Sequence, residues 1–130
     1  MFFILHILLM ATAASGLMAG ISAAMFFRRN KNWLKFHKTV NVLSFAGMAT
    51  GIIMAFLYVA DSGGRHIQGF HHIAGLTAFA SSFITLMIGY RQFKAENKQA
   101  FRATHRWLGR FSLLSVLTAV ILGLMLINLF

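Results

Sequence analysis

Four histidines occupy matching places in this sequence. His6, His37, His71 and His105 each lie about one turn inside the start of a long apolar run. Imidazole is a common metal ligand, and ionisable side chains inside membrane-spanning segments are rare and are functional candidates by default. A single histidine near a helix end can instead lie among lipid headgroups or bond a loop carbonyl. The feature that requires an explanation is therefore the repetition in four segments.

The composition is that of an integral membrane protein. Of the 130 residues, 58% are hydrophobic, whereas a soluble domain has roughly 45–50%. The sequence contains no cysteine. This excludes disulfides, iron–sulfur clusters, thiolate metal sites and a covalently attached c-type haem, so that any haem must be held by non-covalent ligation.

The four apolar runs cover approximately residues 3–27, 34–60, 67–90 and 105–129. Each exceeds the ~20 residues that a helix needs to cross a bilayer. The first run is long enough to span and has no basic residues before it, which predicts a true transmembrane helix and not a cleaved signal peptide. Because the connections are short, neighbouring helices must be antiparallel. The sequence therefore predicts an all-α, antiparallel four-helix membrane bundle that forms one domain over residues 1–130.

The net charge of +10 indicates membrane orientation and not nucleic-acid binding, because the charges flank two short loops. Eleven of the twelve lysines and arginines fall on one side of the predicted membrane, and only Arg65 falls on the other. By the positive-inside rule the basic side is cytoplasmic. We therefore expect both termini on the non-cytoplasmic side, with a bacterial plasma membrane as the expected location. The eleven are Arg28, Arg29, Lys31, Lys35, Lys38, Arg91, Lys94, Lys98, Arg102, Arg106 and Arg110.

Alternation of helix direction sorts the histidines into two pairs. His6 and His71 are expected near the outer face, and His37 and His105 near the cytoplasmic face. In a square bundle the first and third helices are diagonal, as are the second and fourth, so each pair faces across the core. Two imidazoles on opposite sides can hold the iron of a b-type haem with both axial positions filled. We therefore predict two haem b groups, with the iron ligands His6 and His71 outside and His37 and His105 inside.

Small residues follow each histidine at helical spacing and would leave room for a flat macrocycle. Gly75 lies four residues after His71, and Gly109 lies four after His105, on the same helical faces. The alternative is that such stripes only allow close helix packing.

His72 is an alternative to His71 as the iron ligand. The two side chains point about 100° apart, so only one can face the core, and the glycine spacing favours His71. His66 is assigned to a loop with no known role.

Basic side chains near the histidines could bind haem propionates. Arg65 is placed for this outside, and Lys38 and Arg106 inside, with Arg102 and Arg110 as further candidates. The alternative for these residues is membrane topology and contact with anionic lipid.

These residues resemble the cytochrome b561 family over nearly the whole chain. The similarity is carried by the entry segment Trp33–His37, by His71-x-x-x-Gly75 and by His105-x-x-x-Gly109. In the first helix it is carried by His6 followed by Leu9-Met10, Ala13 and Gly16-Leu17-Met18 before Arg28. The resemblance implies two b haems ligated in alternate-helix pairs that carry electrons across the membrane, and a homodimer as a candidate assembly. Members of the family usually have a flanking helix on each side of this core, or an extracellular domain, and this sequence has neither. It also has Ser81-Ser82-Phe83 in the region where a glutamine is often found.

The function that the sequence favours is transmembrane electron transfer from a quinol or soluble cytoplasmic reductant to an outer acceptor, such as a soluble cytochrome or a ferric chelate. The activity class would be a ferric, quinol or ascorbate-linked oxidoreductase. The only carboxylates, Asp61 and Glu96, are assigned to loops, which disfavours a proton or cation transporter. Two alternatives are a membrane-anchor subunit that relays electrons within a larger oxidoreductase and a haem-free structural membrane protein.

Overall fold

The computed structural model describes residues 1–127, which form four α-helices: α1 (Phe2–Phe26), α2 (Trp33–Asp61), α3 (Gly69–Arg91) and α4 (Lys98–Leu126). All four are long and apolar enough to cross a membrane. Even the shortest, α3, has 23 residues and is therefore about 34 Å long. The predicted all-α membrane bundle is confirmed. The predicted end of the fourth helix, Leu129, lies outside the described residues.

Helix boundaries depart from the apolar runs where local capping decides them. The fourth helix begins at Lys98 and not at His105, because Asn97 caps it: the Asn97 side-chain oxygen accepts a hydrogen bond from the Ala100 backbone N–H at 3.0 Å. The third begins at Gly69, two residues later than expected. Ile67 has a left-handed φ of 57°, which a helix interior cannot contain, so the helix begins after it, with Gly69 (φ 78°) as its first residue. Hydropathy therefore predicts which residues the membrane covers, whereas local capping and backbone conformation determine where each helix begins.

The bundle consists of two close-packed helical hairpins. α1 and α2 contact each other along their length, and so do α3 and α4, whereas α1–α4 and α2–α3 contacts are much sparser. Within the described residues, neither α1–α3 nor α2–α4 makes a close backbone approach, so these pairs are diagonal. The α1–α2 and α3–α4 loops form one end of the bundle, here called the basic end. The α2–α3 loop (residues 62–68) and the N-terminus form the other, here called the Asp61 end.

The core lies at mid-depth between the two ends. Met48, at 1% exposure, is the largest fully buried side chain, and it packs with Leu17, Ala78 and Val116. Small residues dominate this core because helices in lipid associate through close packing and not through exclusion of water. Beside it, the rings of Phe45 and Phe79 stack with centroids 5.0 Å apart and planes 14° apart. This stack and the core are the main apolar links between the two hairpins.

The two hairpins use corresponding positions for the same tasks, so the internal repeat extends beyond the histidines. A buried alanine occupies the middle of both α1 and α3, and a buried serine the middle of both α2 and α4. A large apolar side chain follows each serine by one turn and is also buried. The corresponding residues are Ala13 and Ala78, Ser44 and Ser112, and Met48 and Val116.

Candidate functional site: two histidine pairs

The structure brings together the four histidines in the predicted combinations. His6 on α1 faces His71 on α3, with ring centroids 6.2 Å apart and planes at 83°. His37 on α2 faces His105 on α4, with centroids 6.1 Å apart and planes at 89°. Each pair thus joins diagonal helices from different hairpins. Both sites have nearly the same geometry although they use different helices.

The two pairs lie at opposite ends of the bundle. His6 and His71 belong to the first two turns of helices that begin at the Asp61 end. His37 belongs to the first two turns of α2 at the basic end, and His105 lies two turns into α4 because that helix begins seven residues earlier than its apolar run. The buried Met48 lies on α2 between the levels of the two pairs. We refer to them as the Asp61-end pair and the basic-end pair.

A reciprocal set of hydrogen bonds orients the four rings. His6 Nδ1 lies 2.8 Å from the carbonyl of Gly51 on α2, and His37 Nδ1 lies 2.8 Å from the carbonyl of Gly20 on α1. In the second hairpin His71 Nδ1 lies 3.0 Å from Ala119 O, and His105 Nδ1 lies 3.0 Å from Thr85 O. Every imidazole is therefore held by the other helix of its own hairpin.

These contacts determine which nitrogen is left for a ligand. A carbonyl oxygen only accepts hydrogen bonds, so Nδ1 must carry the proton in each ring. The unprotonated Nε2 then has its lone pair available. Metal-ligating histidines almost always donate their other N–H to a carbonyl or carboxylate, which fixes the tautomer and the ring orientation. All four histidines have this arrangement.

Two glycines that the sequence analysis did not single out allow the rings to approach. A Cβ at Gly123 would lie 2.9 Å from His71 Cε1, and a Cβ at Gly89 would lie 2.8 Å from His105 Cε1. Real Cβ atoms do not come this close to other atoms. Each glycine lies one turn after the carbonyl that its histidine bonds. The available signal was a further glycine near the end of α3 and of α4, but spacing along the sequence does not show which histidine faces it.

Of the two glycines that the sequence analysis did select, Gly75 borders open space, whereas Gly109 is in ordinary contact with a neighbouring side chain. A Cβ at Gly75 would meet nothing within 4 Å, and one at Gly109 would meet only Thr85 Cγ2 at 3.8 Å. Elsewhere in the bundle, by contrast, a Cβ at Gly16 or Gly20 would clash with its neighbours. The space next to Gly75, one turn inside His71, is what a flat group held between His6 and His71 would need.

Of the cations predicted at the sites, Lys38 is the one that borders a histidine pair. It lines a cavity between α2 and α3 together with His37 and His105. Its Nζ lies 4.1 Å from the ring centre of Phe93. Arg65 and Arg106 are both exposed, and neither lines this cavity. Their role with propionates stays a prediction.

The remaining two histidines have other contacts. His72 Nδ1 bonds the carbonyl of Gln68 in its own helix, while the neighbouring His71 faces His6. Of these two adjacent histidines, His71 is therefore the one directed into the bundle. His66, in the loop at the Asp61 end, stacks on Phe56 with centroids 5.1 Å apart.

Comparison with protein families gives a match to the model described as eukaryotic cytochrome b561, over residues 4–130. The chain belongs to the cytochrome b561 family. Searches of curated proteins and of solved structures gave no match. As a member of this family, the chain is an integral membrane protein that takes part in transmembrane electron transfer. The family implies haem b as the cofactor.

The two histidine pairs of this chain have the number of ligands that a haem iron needs, and fewer than a bare metal ion needs. Within residues 1–127 no three His, Asp or Glu side chains come together as metal ligands, whereas protein zinc sites use at least three. A haem iron needs only two axial protein ligands. With metal–nitrogen bonds of about 2.0 Å, two coaxial imidazole rings would have centres about 6.3 Å apart. The observed 6.2 and 6.1 Å fit this value.

Proposed function

We propose that this chain carries electrons across the membrane through two b-type haems, one between His6 and His71 and one between His37 and His105. The observation that supports the proposal most directly is the geometry of the two pairs. Each has ring centres 6.1–6.2 Å apart, with every Nδ1 engaged by a carbonyl. When bound, such haems would be held by His6 with His71 and by His37 with His105, and would supply one-electron carriers.

The protein would serve this function by holding its ligands in fixed orientations. The Nδ1–carbonyl bonds keep each ring in place in either oxidation state, so that little reorganisation accompanies a change of charge. At about 1.5 Å per residue, the stretch of α1 from His6 to the level of the other pair at Gly20 spans about 21 Å. The two sites together would therefore cover most of the hydrocarbon core. Between them, Met48 and Leu17 fill the bundle and exclude water.

The charge distribution supports one orientation of the bundle in the membrane. The basic end carries eleven of the twelve cations, which favours a cytoplasmic location for that end and an outer location for both termini. A quinol or an anionic soluble reductant would then donate at the basic end. A soluble cytochrome or a ferric chelate would accept at the Asp61 end. A ferric, quinol or ascorbate-linked oxidoreductase of this kind could act as a homodimer.

The test is a haem count combined with a spectrum. The full chain, purified from membranes in detergent, should give a reduced-minus-oxidised b-type spectrum and two haems per chain. One haem or none per chain would overturn the proposal. A colourless preparation from haem-replete cells would favour the haem-free structural alternative instead. A soluble subunit that remains bound through purification would favour the membrane-anchor alternative.

A further inference from the structure

Asn41 makes a contact with His37 that the other three paired histidines lack. It lies one turn after His37 on the same face of α2. Its amide nitrogen donates a hydrogen bond to the His37 carbonyl at 2.7 Å and lies 3.0 Å from His37 Nδ1. Its side-chain oxygen is buried and has no hydrogen-bond partner in the described part of the chain. The amide is thus held against the ring by one bond to the backbone.

Corresponding positions in the other helices carry no amide. Four residues after His6, His71 and His105 the sequence has Met10, Gly75 and Gly109. On the facing helix, Gly20 makes room for the amide, since a Cβ there would lie 2.7–2.9 Å from the Asn41 side-chain atoms. The two ends of the bundle, otherwise built alike, therefore differ in the surroundings of one imidazole.

The contact changes the electron density that His37 can give to an iron. A hydrogen bond from Nδ1–H to a carbonyl makes the imidazole a better electron donor, which favours the oxidised metal. The amide N–H dipole of Asn41 has its positive end toward the same nitrogen and opposes that effect. A positive potential close to the ring also disfavours the additional positive charge of the oxidised state. Both effects favour the reduced state at the basic end.

We infer that Asn41 is a positioning residue that raises the reduction potential of the basic-end site by directing its amide at His37. The inference rests on the proposed function, because it requires a haem between His37 and His105. Asn41 would act through His37 and would itself touch neither substrate nor iron. The residue would make the basic-end site easier to reduce by whatever donates electrons there.

The test is a redox titration of the purified full chain and its variants. Asn41→Leu removes the amide with little change of volume. Asn41→Thr retains a bond to the His37 carbonyl, since Thr12, Thr50, Thr77 and Thr118 all bond the carbonyl four residues earlier in this chain. Thr50→Val is the matched control, because it removes such a bond from an exposed side chain of α2 that contacts Ala46 and not a histidine. In each sample, the haem of the Asp61-end pair is the internal control.

Both Asn41 variants should favour the oxidised state of one haem by about tenfold, which is about 59 mV for a one-electron couple, and leave the other haem unchanged. Thr50→Val should change neither. Two haems with unchanged potentials in Asn41→Thr would overturn the inference and leave the proposed function standing. A shift in Asn41→Leu alone would also overturn it, because the backbone bond would then be the cause. Absence of two haems in the unmodified chain would instead refute the proposed function.

Discussion

At the residue scale, the central feature is an imidazole with both nitrogens assigned. Nδ1 faces a carbonyl of the neighbouring helix, and Nε2 is left for the diagonal partner. Such an arrangement holds a ligand in place before a cofactor binds, and it occurs four times in this bundle. The predictions at this scale concern single side chains whose loss should affect one site and spare the other.

Replacing His71 by alanine should remove one haem per chain, because only His6 would remain at the Asp61 end. Replacing the adjacent His72, whose Nδ1 bonds its own helix, should leave two. The two variants are compared by the ratio of haem to protein in the purified samples. Loss of a haem from His72→Ala together with retention of both in His71→Ala would show that the ligand has been assigned to the wrong neighbour.

Gly123→Ala should destabilise the chain, because the new Cβ would approach His71 Cε1 to 2.9 Å. Displacing a ring from a fitted position costs about 1–3 kcal/mol. The control is Gly47→Ala, where the nearest atom, Ala13 Cβ, is 3.8 Å away and a higher helix propensity should make the change neutral or stabilising. Thermal melting followed by the haem absorbance would compare the two. Equal melting temperatures would contradict the close approach of Gly123 to His71.

Gly75→Leu tests the space next to the Asp61-end pair. Since a Cβ there meets nothing within 4 Å, the helices should still assemble, but the larger side chain should occupy the space required by a macrocycle. We expect an unchanged far-ultraviolet circular dichroism spectrum and one haem per chain instead of two. Two haems bound at full occupancy would show that the cofactor does not lie over Gly75.

At the element scale, helix ends and membrane boundaries are set by different forces. The apolar runs identify the part of each helix that lipid covers. The capping groups decide how far the helix continues into water, and in α4 they extend it from the apolar run to Lys98. This extension carries basic side chains out of the membrane at the end where we propose that electrons enter.

Asn97→Ala should shorten or fray this extension, because the Ala100 N–H would lose its side-chain acceptor. Loss of an N-cap costs about 1 kcal/mol. His105 lies two turns further along α4, so two haems per chain should be retained while the melting temperature falls by a few degrees. Asn97→Ser or Asn97→Asp, which are also good caps, should restore the melting temperature. Haem loss in Asn97→Ala would mean that the extension supports the basic-end pair directly.

At the scale of the whole molecule, the bundle is two hairpins that each contribute one histidine to each pair. Contacts within a hairpin are extensive, and contacts between hairpins are sparse. Most of the direct apolar connection comes from the core around Met48 and the Phe45–Phe79 stack. Ligands shared across the hairpins would therefore supply much of the cohesion between them.

A chain divided in the loop at residues 62–68 should reassemble when its two hairpins are expressed together. Purification through a tag on one hairpin should also yield the other hairpin, with two haems per assembled bundle. The reason is that each ring is already oriented by its own hairpin. Replacing His71 and His105 together should abolish this recovery, since the sparse direct contacts would remain alone. Recovery undiminished by that double replacement would show that helix packing, and not shared ligation, holds the hairpins together.

Much of this description could be predicted from the sequence because its causes lie in residue type and spacing. Apolar length gives the four spans, and short loops make them antiparallel. Antiparallel order alone places His6 with His71 and His37 with His105. Lys38 and the open position at Gly75 could be found in the same way, because they lie one residue or one turn from a histidine.

The tertiary structure decided what each imidazole meets on the neighbouring helix. The carbonyls of Gly20, Gly51, Thr85 and Ala119 carry no signal in the sequence, because every residue has the same backbone acceptor. The rotation of one helix against another selects the carbonyl that is used, and that rotation depends on packing over the whole hairpin. The same reason explains why Gly89 and Gly123 could be matched to their histidines only when the helices were assembled. Residue type and spacing thus determined where the ligands could be, and packing decided how each is held.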